Sequence, residues 1–303
     1  DDSNTLVFDV RHDLADHGAG RRAYESGHIP GAFFLDHEAD LSAPKTGKNG
    51  RHPLPPLNAF ATLMQSYGVR EGVQVVVYDA GNSMFAAHLW WMLRWIGHSN
   101  VAVLDGGWQA WQEQGGAVSV EVPGPAPSST SEHTEKRLHP AMPTVSCDEV
   151  LRNIQAPRFT VLDARAENRF RGDVEPMDPV AGHIPGALNR PNTLNLDEKG
   201  RFQSPQALSH LLKCWVISGP RKLFTSVARV LLLVTTCWLW KLPGWKGRFY
   251  TQVHGASGAA TALAPLRQAI SLYSELRLSL SDDTTHGSAA CRLPWEIDKV
   301  RFH

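Results

Sequence analysis

Six residues written twice constrain this chain more than any other feature. Gly27-His28-Ile29-Pro30-Gly31-Ala32 stands in the first half and Gly182-His183-Ile184-Pro185-Gly186-Ala187 in the second. Each copy follows a short apolar run that closes on Asp-x-Arg: Leu6-Val7-Phe8-Asp9-Val10-Arg11, then Val161-Leu162-Asp163-Ala164-Arg165. A pattern repeated once, at a spacing the size of a domain, reads as two copies of one fold and not as a solenoid. In a parallel sheet the strand ends carry chemistry or lock the loops. For Asp9 with Arg11, and Asp163 with Arg165, the expectation is a buried ion pair that pins loops. His28 and His183 are expected to fix the loop by hydrogen bonding, with Pro30 setting φ and the flanking glycines permitting a tight backbone.

At 303 residues the chain is long enough for two cores. Thirty Lys and Arg balance thirty Asp and Glu, so nothing points to nucleic acid or an acidic membrane as partner. Cys147, Cys214, Cys237 and Cys291 are scattered without a CxxC spacing, which argues against a disulfide scaffold or a zinc site. Asp1-Asp2-Ser3-Asn4 carries no signal-peptide character, and the apolar run from Val230 to Trp240 is too short to span a bilayer. A soluble, cytoplasmic protein is expected.

Along the first half, Leu6-Val7-Phe8 and Gln74-Val75-Val76-Val77-Tyr78 read as strands, the second a β-branched run suited to a buried parallel position. Val101 to Leu104 reads as a third. Helices are expected over Arg21–Glu25, Phe60–Tyr67, Phe85–Ile96 and Trp108–Gln114, with a long loop over Leu41–Pro56. Strands alternating with helices predict an α/β fold with a parallel sheet. Trp90, Trp91, Trp108 and Trp111 are expected to pack in the core or at a domain interface. The first domain covers 1–120. A linker without periodicity follows over 121–143. The second domain covers 144–259, with Ser146 or Asp148 capping its first helix. A strand at Thr160–Leu162 and a helix over Phe202–Leu212 repeat the plan, which then stops. Residues 260–303 are an extra tail, expected to be disordered, with an isolated helix available over Ala264–Leu278.

The ordered, doubled motifs resemble those of the two-domain rhodanese-like sulfurtransferases, the thiosulfate and 3-mercaptopyruvate sulfurtransferases. Besides Asp-x-Arg and the hexapeptides, they include Gly50 to Pro55, Val76-Val77-Tyr78-Asp79, Trp90 to Arg94, Leu104 to Trp108 and Arg169-Phe170-Arg171-Gly172. The resemblance runs from about Leu6 to Leu212. It implies tandem rhodanese-like domains and transfer of a sulfane sulfur through a cysteine persulfide, without metal or organic cofactor. The partners implied are a small anionic sulfur donor and a thiol or cyanide acceptor. A thiolate needs its pKa lowered by converging backbone N–H groups at a helix N-terminus. In the family that loop reads Cys-Gly-Ser-Gly-Val-Thr-Ala or similar and lies in the second domain. Asp79 occupies the counterpart place in the first, so the first domain is expected to be non-catalytic.

The second-domain loop is missing from this chain: there is no Cys-Gly-x-Gly anywhere. Cys214 and Cys237 lack the glycine-rich surroundings of a persulfide and are expected to be incidental thiols. A shifted reading frame accounts for the break. With synonymous codons allowed, Thr225 to Leu233 reads one frame away as Gln-Cys-Gly-Ser-Gly-Val-Thr-Ala. Tyr250 to Ala259 reads as Tyr-Pro-Gly-Ser-Trp-Ser-Glu-Trp, resembling the family's C-terminal motif. The chain is thus expected to depart from an active ancestor near Lys213. No catalytic residue is intact, and the nucleophile position falls at Ser226 and Val227. On the substrate side, Arg169 matches an arginine that binds the anionic donor in the family, with Arg171 secondary. Mercaptopyruvate-specific members carry a second arginine near the place of Met177. Its absence points to thiosulfate, the latent loop to mercaptopyruvate, and the donor stays open. His88 stands where the family often has arginine. The rival reading is a catalytically inactive rhodanese-like binding or regulatory protein. The phosphatase relatives are set aside because no Cys-x5-Arg spacing occurs.

Overall fold

In the computed structural model, each half of the chain builds a parallel sheet with the same strand order. The structure describes residues 4–47, 49–124, 139–208, 222–226, 249–251 and 253–254, the last three groups as backbone strands. The first half runs β1 (Thr5–Asp9), α1 (Ala19–Ser26), β2 (Phe33–Phe34), α2 (Leu57–Ser66), β3 (Gln74–Tyr78), α3 (Met84–Trp95), β4 (Val101–Val103) and α4 (Gly107–Glu113). Its sheet has the order β2-β1-β3-β4, all parallel, with Thr5 opposite Gln74 and Asp9 opposite Tyr78. Parallel strands need helical crossovers, and the alternation of apolar runs with helical periodicity supplies them.

The core of this half sits between the sheet and α3. Every residue of α3 except Met84 and Arg94 is buried, as its all-round apolar sequence predicts. Trp90, Trp91 and Trp95 lie in that core with Phe8, Phe60, Met64 and Val77. Trp108 and Trp111 pack on the sheet's other side against Ile29, Tyr78 and Leu104. Each large apolar side chain fully buried contributes about 1.5–3 kcal/mol. Helix α2 starts at Leu57, earlier than Phe60, because Pro56 in an extended conformation (φ −54°, ψ 136°) ends the loop and frees the next residue to turn.

The second half runs β5 (Val145–Ser146), α5 (Cys147–Gln155), β6 (Phe159–Asp163), α6 (Glu167–Arg171), β7 (Leu188–Asn189), a 3-10 turn (Asn192–Asn195), β8 (Lys222–Ser226), β9 (Phe249–Thr251) and β10 (Val253–His254). Ser146, not Asp148, caps α5. Its hydroxyl accepts from Glu149 N–H at 3.2 Å while Glu149 Oε2 accepts from Ser146 N–H at 2.6 Å, a closed capping box. The sheet order is β7-β6-β8-β9, with β10 pairing parallel to β5 apart from it.

This corrects one expectation. The plan does not stop after Leu212 at the level of the backbone: β8 lies centrally, with Phe159 opposite Lys222 and Asp163 opposite Ser226, as Thr5 and Asp9 face Gln74 and Tyr78. Strand pairing is made by main-chain groups, and Leu223, Phe224 and Thr225 are tolerable strand formers, so a changed sequence still supplies the ladder. The helix expected over Phe202–Leu212 begins only at residue 205. Phe202 is held instead in an antiparallel bridge with Leu196, and 209–212 lie outside the described residues. Outside them too lie Cys214, Val227, Cys237, Cys291, the tail 260–303 and its expected helix over Ala264–Leu278. Among the described residues no helix is long and apolar enough to cross a membrane.

The expected linker is anchored to the first half near both of its ends. Ser119 and His28 bridge through paired main-chain bonds of 2.9 Å, and Glu121 O lies 3.1 Å from His28 Nε2. Further on, Ala141 N–H donates to Trp95 O at 2.9 Å, and Met142 packs on the first core.

Candidate active site

The doubled Asp-x-Arg builds the same clasp twice. Asp9 Oδ1 accepts from Arg11 N–H at 2.9 Å, Asp9 Oδ2 meets Arg11 Nη2 at 2.6 Å, and the same Nη2 donates to Gly27 O at 2.7 Å. In the second half Asp163 and Arg165 repeat this at 2.9 and 2.6 Å, and Arg165 Nη2 donates to Gly182 O at 2.6 Å. Each clasp thus ties a strand end to the first glycine of its hexapeptide. His28 stacks on Tyr24 at 3.9 Å with Nδ1 2.8 Å from Tyr24 O; His183 stacks on Phe170 at 3.7 Å with Nδ1 2.7 Å from Phe170 O. A carbonyl can only accept, so in the second ring Nδ1 is the donor to Phe170 O. These geometries suit loop fixing.

At the C-terminal end of β3, Asp79 fills a cradle of main-chain donors. Its Oδ1 accepts from Gly81 and Ser83 N–H, both at 3.0 Å, and its Oδ2 from Phe85 at 3.0 Å and Ala86 at 3.2 Å. The donors converge because Ser83, at φ +55°, turns left-handed just before α3. Gly107 closes the floor at φ +56°, where a Cβ would lie 2.5 Å from Asp79 O. Burial pushes the Asp79 carboxyl above its usual value, and the four N–H donors pull it back. This is the geometry that would hold a thiolate, occupied by a carboxylate that cannot attack sulfur. The matching register of β6 and β8 makes Val227 the residue that follows its strand as Asp79 follows β3. Among the described residues the one cysteine is Cys147, partly buried at the start of α5. Burial and then Asp148 push its thiol up, away from thiolate character.

Arg169 and Arg171 fall on α6 but in different surroundings. Arg171 is about half exposed and pairs with Glu167 at 2.7 Å and Asp173 at 2.8 Å. Arg169 points into a charged cluster: Nη2 lies 2.6 Å from Glu175 Oε1 and 3.3 Å from Asp178 Oδ2. Glu175, almost fully buried, also meets Arg165 Nη1 at 3.3 Å and accepts from the N–H groups of Met177 and Asp178 at 3.0 and 3.1 Å. Burial would raise its carboxyl, yet these donors, Arg169 foremost, hold it below the ordinary value. The cluster contains a third guanidinium, beside Arg165 and Arg169, that sequence reasoning missed. Arg51, from the long loop of the first half, donates through Nη2 to Met177 O at 2.6 Å and to Asp178 Oδ1 at 2.7 Å. Its signal lay in the Gly50–Pro55 stretch, but nothing in the spacing said which side chain crosses to the other half.

Arg190 was also missed. Its N–H donates to Asp163 O at 2.9 Å, as Leu35 N–H donates to Asp9 O at 3.0 Å, so the second half buries an arginine where the first buries leucine. Its Nη2 reaches Asn195 Oδ1 at 2.8 Å, it has no carboxylate partner among the described residues, and burial lowers its pKa.

One cluster of possible ligand atoms was not read from the sequence. His12, Glu38 and His52 each offer a ligand atom, all within 4.8 Å of one another. Spacing could not reveal it, because the three come from separate loops.

Residues 1–114 match the rhodanese-like domain family. A Pseudomonas aeruginosa protein named as a probable 3-mercaptopyruvate sulfurtransferase is 43% identical over 205 residues, covering 67% of this chain and 70% of that one. The chain belongs to the rhodanese-like sulfurtransferases. Bovine thiosulfate sulfurtransferase is 34% identical over 195 residues, 62% of either chain. The solved 3-mercaptopyruvate sulfurtransferase of Escherichia coli superposes with a TM-score of 0.66 at 29% identity, covering 82% of this rhodanese-like chain and 92% of that one. The α/β architecture and the transferase class expected from the doubled motifs are those of this family.

Proposed function

We propose that the protein derives from a sulfurtransferase that moves a sulfane sulfur from thiosulfate or 3-mercaptopyruvate to a cyanide or thiol acceptor through a cysteine persulfide, and that this chain is impaired in that reaction. The observation that carries the reading is the register of β8. The position corresponding to Asp79 falls at the end of that strand, where the chain reads Ser226-Val227-Ala228-Arg229 instead of Cys-Gly-Ser-Gly. Serine and valine supply no thiolate, and the glycines that let main-chain N–H groups converge are absent. In this reading the anionic donor is met by Arg169 together with Arg51, the second guanidinium arriving from the first domain at the place of Met177. Arg171 is left to a surface role. The domains span 1–120 and 144–259, Asp79 is the inert counterpart of the nucleophile, and a reducing cytoplasmic setting suits the chemistry.

The test is cyanolysis of thiosulfate, and sulfur release from 3-mercaptopyruvate, by the purified chain. Product is expected to form no faster than without protein. A companion chain with the reading frame restored from about Lys213 is expected to turn over. Turnover by the present chain that disappears in Cys214→Ser or Cys237→Ser would overturn the reading. So would coding DNA in which no single shift spells Cys-Gly-Ser-Gly. An inactive companion of intact fold would favour the binding-protein alternative.

A further inference from the structure

We propose that the first domain carries a divalent transition-metal site of the zinc type, formed by His12, Glu38 and His52. The three residues come from different segments that the sheet brings to one edge. His12 follows β1, Glu38 follows β2, and His52 lies in the loop before α2. The C-terminal edge of a parallel sheet is where α/β folds bind ligands. The ligand atoms lie within 4.8 Å of one another. A zinc ion about 2.0–2.1 Å from each would hold them about 3.3 Å apart, so closing the site takes only small side-chain rotations.

Two further observations favour an ion here. His12 Nε2 is buried and has no hydrogen-bond partner among the described residues, a desolvated lone pair or N–H that a folded protein normally satisfies. The imidazoles are also held in place. The His12 ring packs at 5.0 Å on both His37 and Phe85, and His37 packs at 4.6 Å on His52. Glu38 Oε1 shares a proton with His52 Nε2 at 2.7 Å, and Lys45 Nζ holds Oε2 at 2.8 Å. An entering cation replaces the proton between Glu38 and His52, while Lys45 keeps the other oxygen and fixes the carboxylate. His17 Nε2 stands 4.0 Å from Glu38 Oε1 on the solvent side.

The donor set chooses the metal. Two imidazoles and one carboxylate suit zinc, copper or nickel, whereas magnesium and calcium prefer all-oxygen cages. Three protein ligands leave a coordination position for water or a small anion. His52 is the chain neighbour of Arg51, so the ion would sit behind the loop that presents Arg51 to Asp178.

The experiment uses the full chain, stripped with a chelator and titrated with Zn²⁺ alone against a chromophoric competitor, with thermal unfolding followed in parallel. One equivalent is expected to bind and to raise the melting temperature. His12→Asn, His52→Asn and Glu38→Gln should each weaken binding by about tenfold or more and abolish the thermal shift. His139→Ala, an exposed histidine that is not one of the three, should change neither. A variant counts only if its metal-free chain still melts cooperatively; Glu38→Gln, nearly isosteric, is the one most certain to do so. No bound equivalent, or a thermal shift that survives in folded Glu38→Gln, would overturn the proposal.

Discussion

Glu175 stands at the centre of the charged cluster in the second half. It receives Arg165, Arg169 and two main-chain N–H groups while almost fully buried. Arg165 keeps Asp163 and Arg169 keeps Asp178 when the charge is removed, so Glu175→Gln is expected to cost the charge-assisted bonds alone, about 2 kcal/mol at neutral pH. The pH dependence follows from the sign of its shift. Because its folded pKa lies below the usual carboxylate value, its contribution is complete above about pH 4.3. That contribution is lost as the pH falls through the lower, folded value. Chemical unfolding of the two proteins should therefore differ at pH 7 and converge at strongly acid pH; a constant gap would refute the assignment. At this scale the sequence was partly legible. Asp9, Arg11, Asp163 and Arg165 announced themselves by repetition. Arg51 and Arg190 did not, because a contact across 127 positions and an arginine standing in for Leu35 leave no periodic trace.

Among elements, α5 shows how a local signal sets a boundary. Ser146 and Glu149 satisfy each other's main-chain N–H groups, and Asp148 and Glu149 sit in the first turn, favourably placed for the helix dipole. Ser146→Ala is expected to remove about 1 kcal/mol, read as a fall in melting temperature, while Asp148→Ala should remove less. Equal losses would mean that the dipole, not the cap, governs this end. Strands β1, β3 and β4 and helix α3 could be read from their residues because apolar patterning and burial agree there. Strand β8 could not. Lys222-Leu223-Phe224-Thr225-Ser226 is short and carries no alternation that separates it from its surroundings, so its pairing with β6 and β9 identifies it. The cluster of His12, Glu38 and His52 was illegible for a related reason: its residues share no helix or strand, and proximity is made by the sheet.

Among the described residues, the two halves meet through polar contacts and through Leu196 and Phe202, which pack on the first core. Phe202 N–H donates to Asp105 Oδ1 at 2.8 Å, and Gly200 turns at φ +72°, where a Cβ would lie 2.8 Å from Gly81 O. Arg51 pairs with Asp178 while both stay about a third exposed. A double-mutant cycle on Arg51→Ala and Asp178→Ala should give a coupling of about 0.5 kcal/mol that shrinks in high salt. A coupling indifferent to salt would mean that the pair acts through packing. The position of Asp178 has a consequence of its own. One carboxylate answers to a guanidinium on either side, Arg51 from one domain and Arg169 from the other. With Arg169 meeting the anionic donor as proposed, a bound oxyanion would compete with Asp178 for it and alter the tether between the two halves. By reciprocity, whatever loosens that tether would change how tightly the oxyanion is held, so occupancy and the strength of the Arg51–Asp178 pair become two readings of one quantity.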